Sequence, residues 1–242
     1  MQNYLTKNNK NGNIFYEKQI GGDVMYNSAK ELIENEIDYE LKKQIYYSIS
    51  NGVEIFKELK IGNIEIFDNE LSSNILSRIM TFCIDRQFSP DIYVNKNGFE
   101  SNIKTVNVFN YKVAELRNNN MVIHIAKTTK GRNLPSKSVY KLKYAQNNNF
   151  KQQQLKLDLA GNTNKVTIEP YYGIVTYNVD QNLEIKAINL IIPASDMETY
   201  IEKIDIKSEV ERFKTVQNDI QNEKTLITLK NEFNKSKIIN KK

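Results

Sequence analysis

Apolar residues change their period at Pro90, and that change divides the chain into a helix-forming part and a strand-forming part. Ahead of it they recur every three to four residues. Ser28-Ala-Lys-Glu31 has capping-box spacing, in which the serine hydroxyl accepts an amide and the glutamate reaches back, so a helix starts there. Leu32, Ile33, Ile37, Leu41, Ile45 and Ile49 continue the stripe to Asn51-Gly52, which reads as a helix stop. The stretch predicts one long helix, or two with a break near Asn35. Residues 64–67 predict a short strand, and Leu71, Ile75, Leu76, Ile79, Met80 and Cys83 predict a second helix ending near Gln87.

Past Pro90 the apolar residues alternate, and the pattern predicts strands at 92–94, 103–108, 112–116 and 121–126. Turns at 95–98 and 117–120 join them into an antiparallel meander. Pro135 and Ser136 introduce a short helix through Val139, Tyr140, Leu142 and Tyr144, with proline in its first turn. The polar tracts 146–149 and 152–154 break all periodicity and are expected to be exposed loop. Residues 172–179 and 183–192 predict a hairpin, and Ser208-Glu-Val-Glu211 predicts the start of a long polar helix. The fold class expected is therefore α+β, a mainly antiparallel sheet with N-terminal helices on it and a long C-terminal helix. The organisation expected is an N-terminal arm (1–22), a single α+β domain (23–207), and the C-terminal helix with its basic tail (208–242). That last helix either docks on the body or pairs with a second chain.

The side-chain inventory excludes several chemistries. Cys83 is the single cysteine and His124 the single histidine, so there is neither an intramolecular disulfide nor a Cys/His cluster for zinc, and a reducing compartment fits. Magnesium sites made of carboxylates stay open. The first ten residues lack the apolar core of a secretory signal, and no apolar run approaches the roughly 18–20 residues that span a bilayer. A cytoplasmic protein without membrane segments is expected.

Charge is distributed unevenly. Between Glu115 and Asp158 there is no acidic residue, while nine lysines and arginines give that window +9; the chain total of +5 leaves −4 for everything else. A cationic segment on a mildly acidic body directs a protein toward a polyanion, because neutralised phosphates release counterions. The candidate nucleic-acid contacts are Lys127, Lys130, Arg132, Lys137, Tyr140, Lys141, Lys143 and Tyr144. On a helix over 136–144, Lys137 and Lys141 share one face and Tyr140 and Tyr144 another, which suits phosphates and unpaired bases respectively. The competing account is a solvated surface helix whose tyrosines are half-buried packing residues.

A second constellation is Pro90-Asp91 after a helix, followed two strands later by Glu115-Leu116-Arg117. Its layout resembles the PD-(D/E)xK nuclease fold. That resemblance implies Asp91 and Glu115 as Mg²⁺ ligands, with Arg117 where the family carries lysine. Arginine keeps its proton and cannot readily act as a base. His124 alternates onto the face of Val122 and Ala126, as a half-buried strand histidine, and Cys83 sits on the apolar stripe of its helix. No Gly-x-Ser-x-Gly, P-loop or G-x-G-x-x-G motif is present. The function expected is that of a non-enzymatic intracellular binding protein without cofactor, nucleic-acid-associated (DNA or RNA) or regulatory, that uses the basic segment 117–156. The alternatives are a Mg²⁺-dependent nuclease and a module that binds an acidic partner protein.

Overall fold

The computed structural model of the protein describes residues 5–8, 14–17, 25–61, 69–89, 98–106, 111–129, 131–150, 156–157, 166–167, 169–213 and 224–234. It divides into two units, Met1–Met25 with Gln154–Ile168, and Tyr26–Gln153 with Glu169–Lys242. In the first, β1 (Leu5–Asn8) pairs antiparallel with β2 (Ile14–Glu17), and β6 (Lys156–Leu157) with β7 (Val166–Thr167). All other elements belong to the second.

In that second unit the helices come first. Ser28 caps α1 (Ala29–Glu36) by accepting the Glu31 amide at 3.1 Å, as its spacing implies. The reciprocal half of the box is displaced by one residue, since Glu31 takes the amide of Asn27 at 2.8 Å. The chain breaks at Ile37 and Asp38, and Asp38 then accepts the Leu41 amide at 2.7 Å at the start of α2 (Tyr39–Ile61). The expected stop at Asn51-Gly52 is corrected: α2 runs straight through it. Gly52 serves packing, because a Cβ there would lie 2.7 Å from Met80 Sδ and 3.7 Å from Cys83 Sγ of α3 (Asn69–Gln87). The bare backbone lets the two helices approach. The strand expected at 64–67 and those parts of the meander at 90–97 and 107–110 lie outside the described residues.

One six-stranded sheet carries these helices, in the order β10-β9-β8-β5-β4-β3. The strands are β3 (Glu100–Thr105), β4 (Lys112–Arg117), β5 (Met121–Lys127), β8 (Tyr171–Val179), β9 (Ile185–Pro193) and β10 (Tyr200–Asp205). The meander β3-β4-β5 and the hairpin β8-β9 form as their alternation predicts. Two features go beyond the sequence reading: an edge strand, β10, and a parallel seam in which Met121–Lys127 pair with Tyr171–Tyr177. The sheet is thus mostly antiparallel and the class α+β.

Alternation sorts the two faces. Leu116, Met121, Ile123, Tyr171, Val175 and Leu190 join the core beneath α1, α2 and α3, whereas Val122, Tyr172 and Ile174 pack with Ala145 and Leu142 of α4 (Val139–Ala145) on the other side. Helix α4 begins at Val139 after Ser138, so Pro135 and Lys137 precede it, a correction to the span expected. The tract at 146–149 is not simply exposed: buried Asn148 donates to Tyr172 O at 2.9 Å and Pro193 O at 2.8 Å, and accepts the Tyr172 amide at 2.7 Å. It ties the start of β8 to the end of β9.

The long helix expected from Ser208 is also corrected. Asp205 accepts the Ser208 amide at 3.0 Å and opens a short α5 (Ile206–Arg212), which ends at Phe213 with φ −110°. Residues 214–223 lie outside the described residues, and a further helix, α6, spans 224–234. It docks on the body: Leu229 is fully buried, Arg86 Nε lies 3.0 Å from Glu232, and Phe82 and Phe233 meet edge to face with centroids 5.6 Å apart. No helix among the described residues is long and apolar enough to cross a membrane.

Candidate functional site: a cation-lined cleft beside a buried Glu115–His124 pair

The turn between β4 and β5 is set by its asparagines. Asn118 Oδ1 accepts the amides of Asn120 and Met121 at 3.0 and 2.7 Å, while the Asn118 and Asn120 side chains donate to Glu36 of α1 at 2.6 and 2.8 Å. This pins the register Arg117↔Val122, Leu116↔Ile123, Glu115↔His124. There the ladder stops, although β4 reaches back to Lys112 and β5 on to Lys127. The strands fork beyond their last rung.

That rung is the polar centre of the α4 face. Glu115 and His124 are only 2% and 1% exposed, and the two side chains meet, His124 Nε2 to Glu115 Oε2, at 3.1 Å. The other ring nitrogen, Nδ1, lies 3.0 Å from the hydroxyl of buried Tyr172. Tyr144 donates its hydroxyl to the same Glu115 oxygen at 2.7 Å, Lys104 of β3 bonds to the Tyr144 hydroxyl and lies 3.5 Å from Glu115 Oε2, and Arg117 approaches Oε1 at 3.9 Å. The rings of Tyr140, Tyr144 and Tyr172 all present edges to the imidazole, with centroids 5.1 to 5.5 Å away.

These contacts fix the charges. Burial pushes the Glu115 carboxyl up, but the hydrogen bonds from His124 and Tyr144 and the charge of Lys104 outweigh it and hold the group down to about 2. Burial lowers His124, against the pull of Glu115. The consistent state is a neutral imidazole that donates from Nε2 to a carboxylate and accepts at Nδ1 from Tyr172, whose own hydroxyl burial keeps protonated. Lys104, raised mainly by its bond to Tyr144, supplies the countercharge.

Beside this pair the fork opens into a cleft of about 250 Å³. Val113 and Ala114 line it from β4, and Ile125 to Lys127 from β5. Ser73, Ser77 and Thr81, one turn apart on α3, form a hydroxyl-bearing wall. Ser136, Tyr140 and Lys141 close the α4 side. Tyr140 belongs to both sites, touching His124 with one edge while lining the cleft; burial, then neighbouring Tyr111, raises its hydroxyl to about 12.

The sequence-derived contact residues are distributed as follows. Lys127, Arg132 and Lys143 are exposed, and no described carboxylate pairs with them or with Lys141. Lys137 is exposed and ion-paired with Glu198, an acid from outside the window. Half-buried Lys141 reaches Ser136 O at 3.0 Å and lies 5.7 Å from the Tyr140 ring centroid. Tyr140 and Tyr144 turn inward onto the sheet. Tyr144 stacks on Tyr172 at 5.3 Å rather than standing out toward solvent. Lys130 lies outside the described residues, as does Asp91; of the nuclease-like set, Glu115 and Arg117 are described and adjoin each other. Among the described residues no group of three or more His, Cys, Asp or Glu could hold a metal ion.

Lys104 and the pairing of Glu115 with His124 were missed by the sequence reading. The pairing had a signal, because a turn at 118–120 that sets Arg117 against Val122 also sets Glu115 against His124. Lys104 had none, since its position depends on the β3 register. Lys203 of β10, which bonds to Asn133 Oδ1 at 3.0 Å, likewise brings a cation to the segment before α4 from far along the chain. Compared with protein-family models, with curated proteins and with solved structures, the chain matches none.

Proposed function

We propose that the protein is a non-catalytic nucleic-acid-associated binding protein whose contact surface is the basic segment 117–156 around α4. The observation that carries this reading is that Lys127, Arg132 and Lys143 are exposed and have no carboxylate partner among the described residues, with Lys203 added beside Asn133. Cations left without acid neighbours keep their full field for phosphates. Because Tyr144 is committed to Glu115 and Tyr172, attraction on this surface is electrostatic and its affinity depends on salt.

The test is binding of a single-stranded oligonucleotide of mixed sequence at rising salt. The logarithm of affinity is expected to fall linearly with the logarithm of salt concentration, by about 0.7 per phosphate neutralised. The triple variant Lys127→Glu, Arg132→Glu, Lys143→Glu should abolish binding at moderate salt while its circular dichroism is unchanged. Absence of binding at low salt, or an unaltered salt slope in the triple variant, refutes the reading.

A further inference from the structure

We propose that the cleft in the β4–β5 fork is a binding site for one phosphate-bearing nucleotide, free or at the end of a strand. Its lining chemistry is that of an anion site. Lys127 and Lys141 line it from different elements, Ser73 and Ser136 bring hydroxyls beside Ser77, which bonds to Tyr111, and no carboxylate is among its described lining residues. Lys141 has been drawn partly out of water, with a backbone carbonyl and the Tyr140 ring as its described partners. Burial lowers its affinity for its proton, so an incoming phosphate would relieve an unpaired charge.

A bare anion would leave the rest of the cleft unfilled. Met80, Ile84, Ala114, Ile125 and buried Tyr177 make an apolar floor, and the more exposed Tyr111 and Tyr140 are the aromatic lining against which a planar base can lie. The parted strands add polarity of another kind, because β4 and β5 do not pair with each other beyond Glu115 and His124, leaving main-chain groups to meet a base edge. The volume of about 250 Å³ is just under the roughly 300–1,000 Å³ typical of drug-sized ligands. It suits one base with its phosphate and not a stacked pair. The Glu115–His124 rung holds this geometry by fixing where the fork begins and by seating Tyr140.

The site shares Lys127 with the strand-binding surface and adds Lys141, which the triple surface variant leaves in place, and calorimetry separates the two. The full chain is titrated with uridine 5′-monophosphate, adenosine 5′-monophosphate, uridine and inorganic phosphate. A mononucleotide is expected to bind at least about tenfold more tightly than either uridine or phosphate alone. Lys141→Met and Lys127→Met should each weaken it by about tenfold, whereas Lys30→Glu, at an exposed position of α1, should change it by less than about twofold. Thermal unfolding confirms that each variant is folded, and two lysine variants keep the test valid should one fail. A 5′-phosphorylated tetranucleotide that competes as well as the mononucleotide assigns the site to a strand end, and one that competes poorly assigns it to the free nucleotide. No binding of either mononucleotide, equal affinity for inorganic phosphate, or indifference to both lysine variants overturns the proposal. Absence of oligonucleotide binding by the unaltered chain at low salt, with mononucleotide binding present, overturns the surface reading and leaves this one standing.

Discussion

Replacing Glu115 by leucine tests whether the buried polar rung is a single coupled unit. The carboxylate is 2% exposed and serves three donors: His124, Tyr144 and Lys104. Their losses are unequal. Lys104 has a side chain 43% exposed and Tyr144 is half-buried, so both can turn to water at little cost. His124 cannot, being 1% exposed and enclosed by three tyrosine rings. An orphaned buried donor costs about 1–3 kcal/mol, and a hydrogen bond to a charged group contributes about 1.5–3 kcal/mol. Glu115→Leu is therefore expected to destabilise by about 3–5 kcal/mol, a large part of the roughly 5–15 kcal/mol that holds most domains folded. His124→Leu alone leaves the carboxylate short of one donor and should cost about 2–3 kcal/mol. In the double variant the orphan disappears, so the sum should fall short of additivity by about 2 kcal/mol. Urea unfolding at pH 7, followed by far-ultraviolet circular dichroism, measures all three. Additive losses, or a Glu115→Leu cost under about 1 kcal/mol, would refute the reasoning.

Glu115 is held below the usual carboxylate range and His124 below the usual imidazole range, so the unfolded chain binds more protons than the folded one on acidification. Stability should be greatest above the ordinary imidazole value and fall steadily as the pH drops toward about 2, a decline that Glu115→Gln flattens in urea midpoints below pH 5. Gly52→Ala brings a Cβ to 2.7 Å from Met80 Sδ, the far end of a flexible chain, so a helix-propensity gain of about 1 kcal/mol should roughly offset the crowding, whereas Gly52→Leu should cost at least about 3 kcal/mol in thermal unfolding. Asn148→Ala removes three buried hydrogen bonds and should lower stability by about 2–4 kcal/mol, with lost amide protection at Tyr172 in hydrogen exchange. Truncation after Phe213 removes Leu229 and Phe233 from the α2–α3 surface; it should lower the melting temperature and leave circular dichroism of the sheet intact.

Periodicity made the helices and the meander legible, because each buries one face and the pattern needed to do so is local. What it could not convey was the reason for an exception. Asn51-Gly52 has the chemistry of a helix end, yet the glycine answers to Met80 and Cys83, which lie on another helix. Asn148 sits in a tract that composition marks as loop, and its burial depends on two strands that reach it from later in the chain. The capping signal at Ser208 was overtaken by Asp205, an equally good cap three residues earlier. Within the candidate site, the positive window was visible as composition, but which of its members face water was not. Lys137 meets Glu198, and Tyr144 meets Glu115, through folds of the chain that no local pattern announces. The parallel seam escaped for a related reason, since pairing β5 with β8 requires passing over α4 and the Gln154–Ile168 part of the other unit.

That seam sets an order of events. Strands β3 to β5 and β8 to β10 can each zip up through short connections, but their junction must wait for a long segment to close. The cleft takes Ala114 and Ile125 from one half and Tyr177 from the other, so it comes into being only when the halves have joined. Any molecule lodged there acts as a clasp, and by mass action it makes the slowest join in the sheet the hardest to undo.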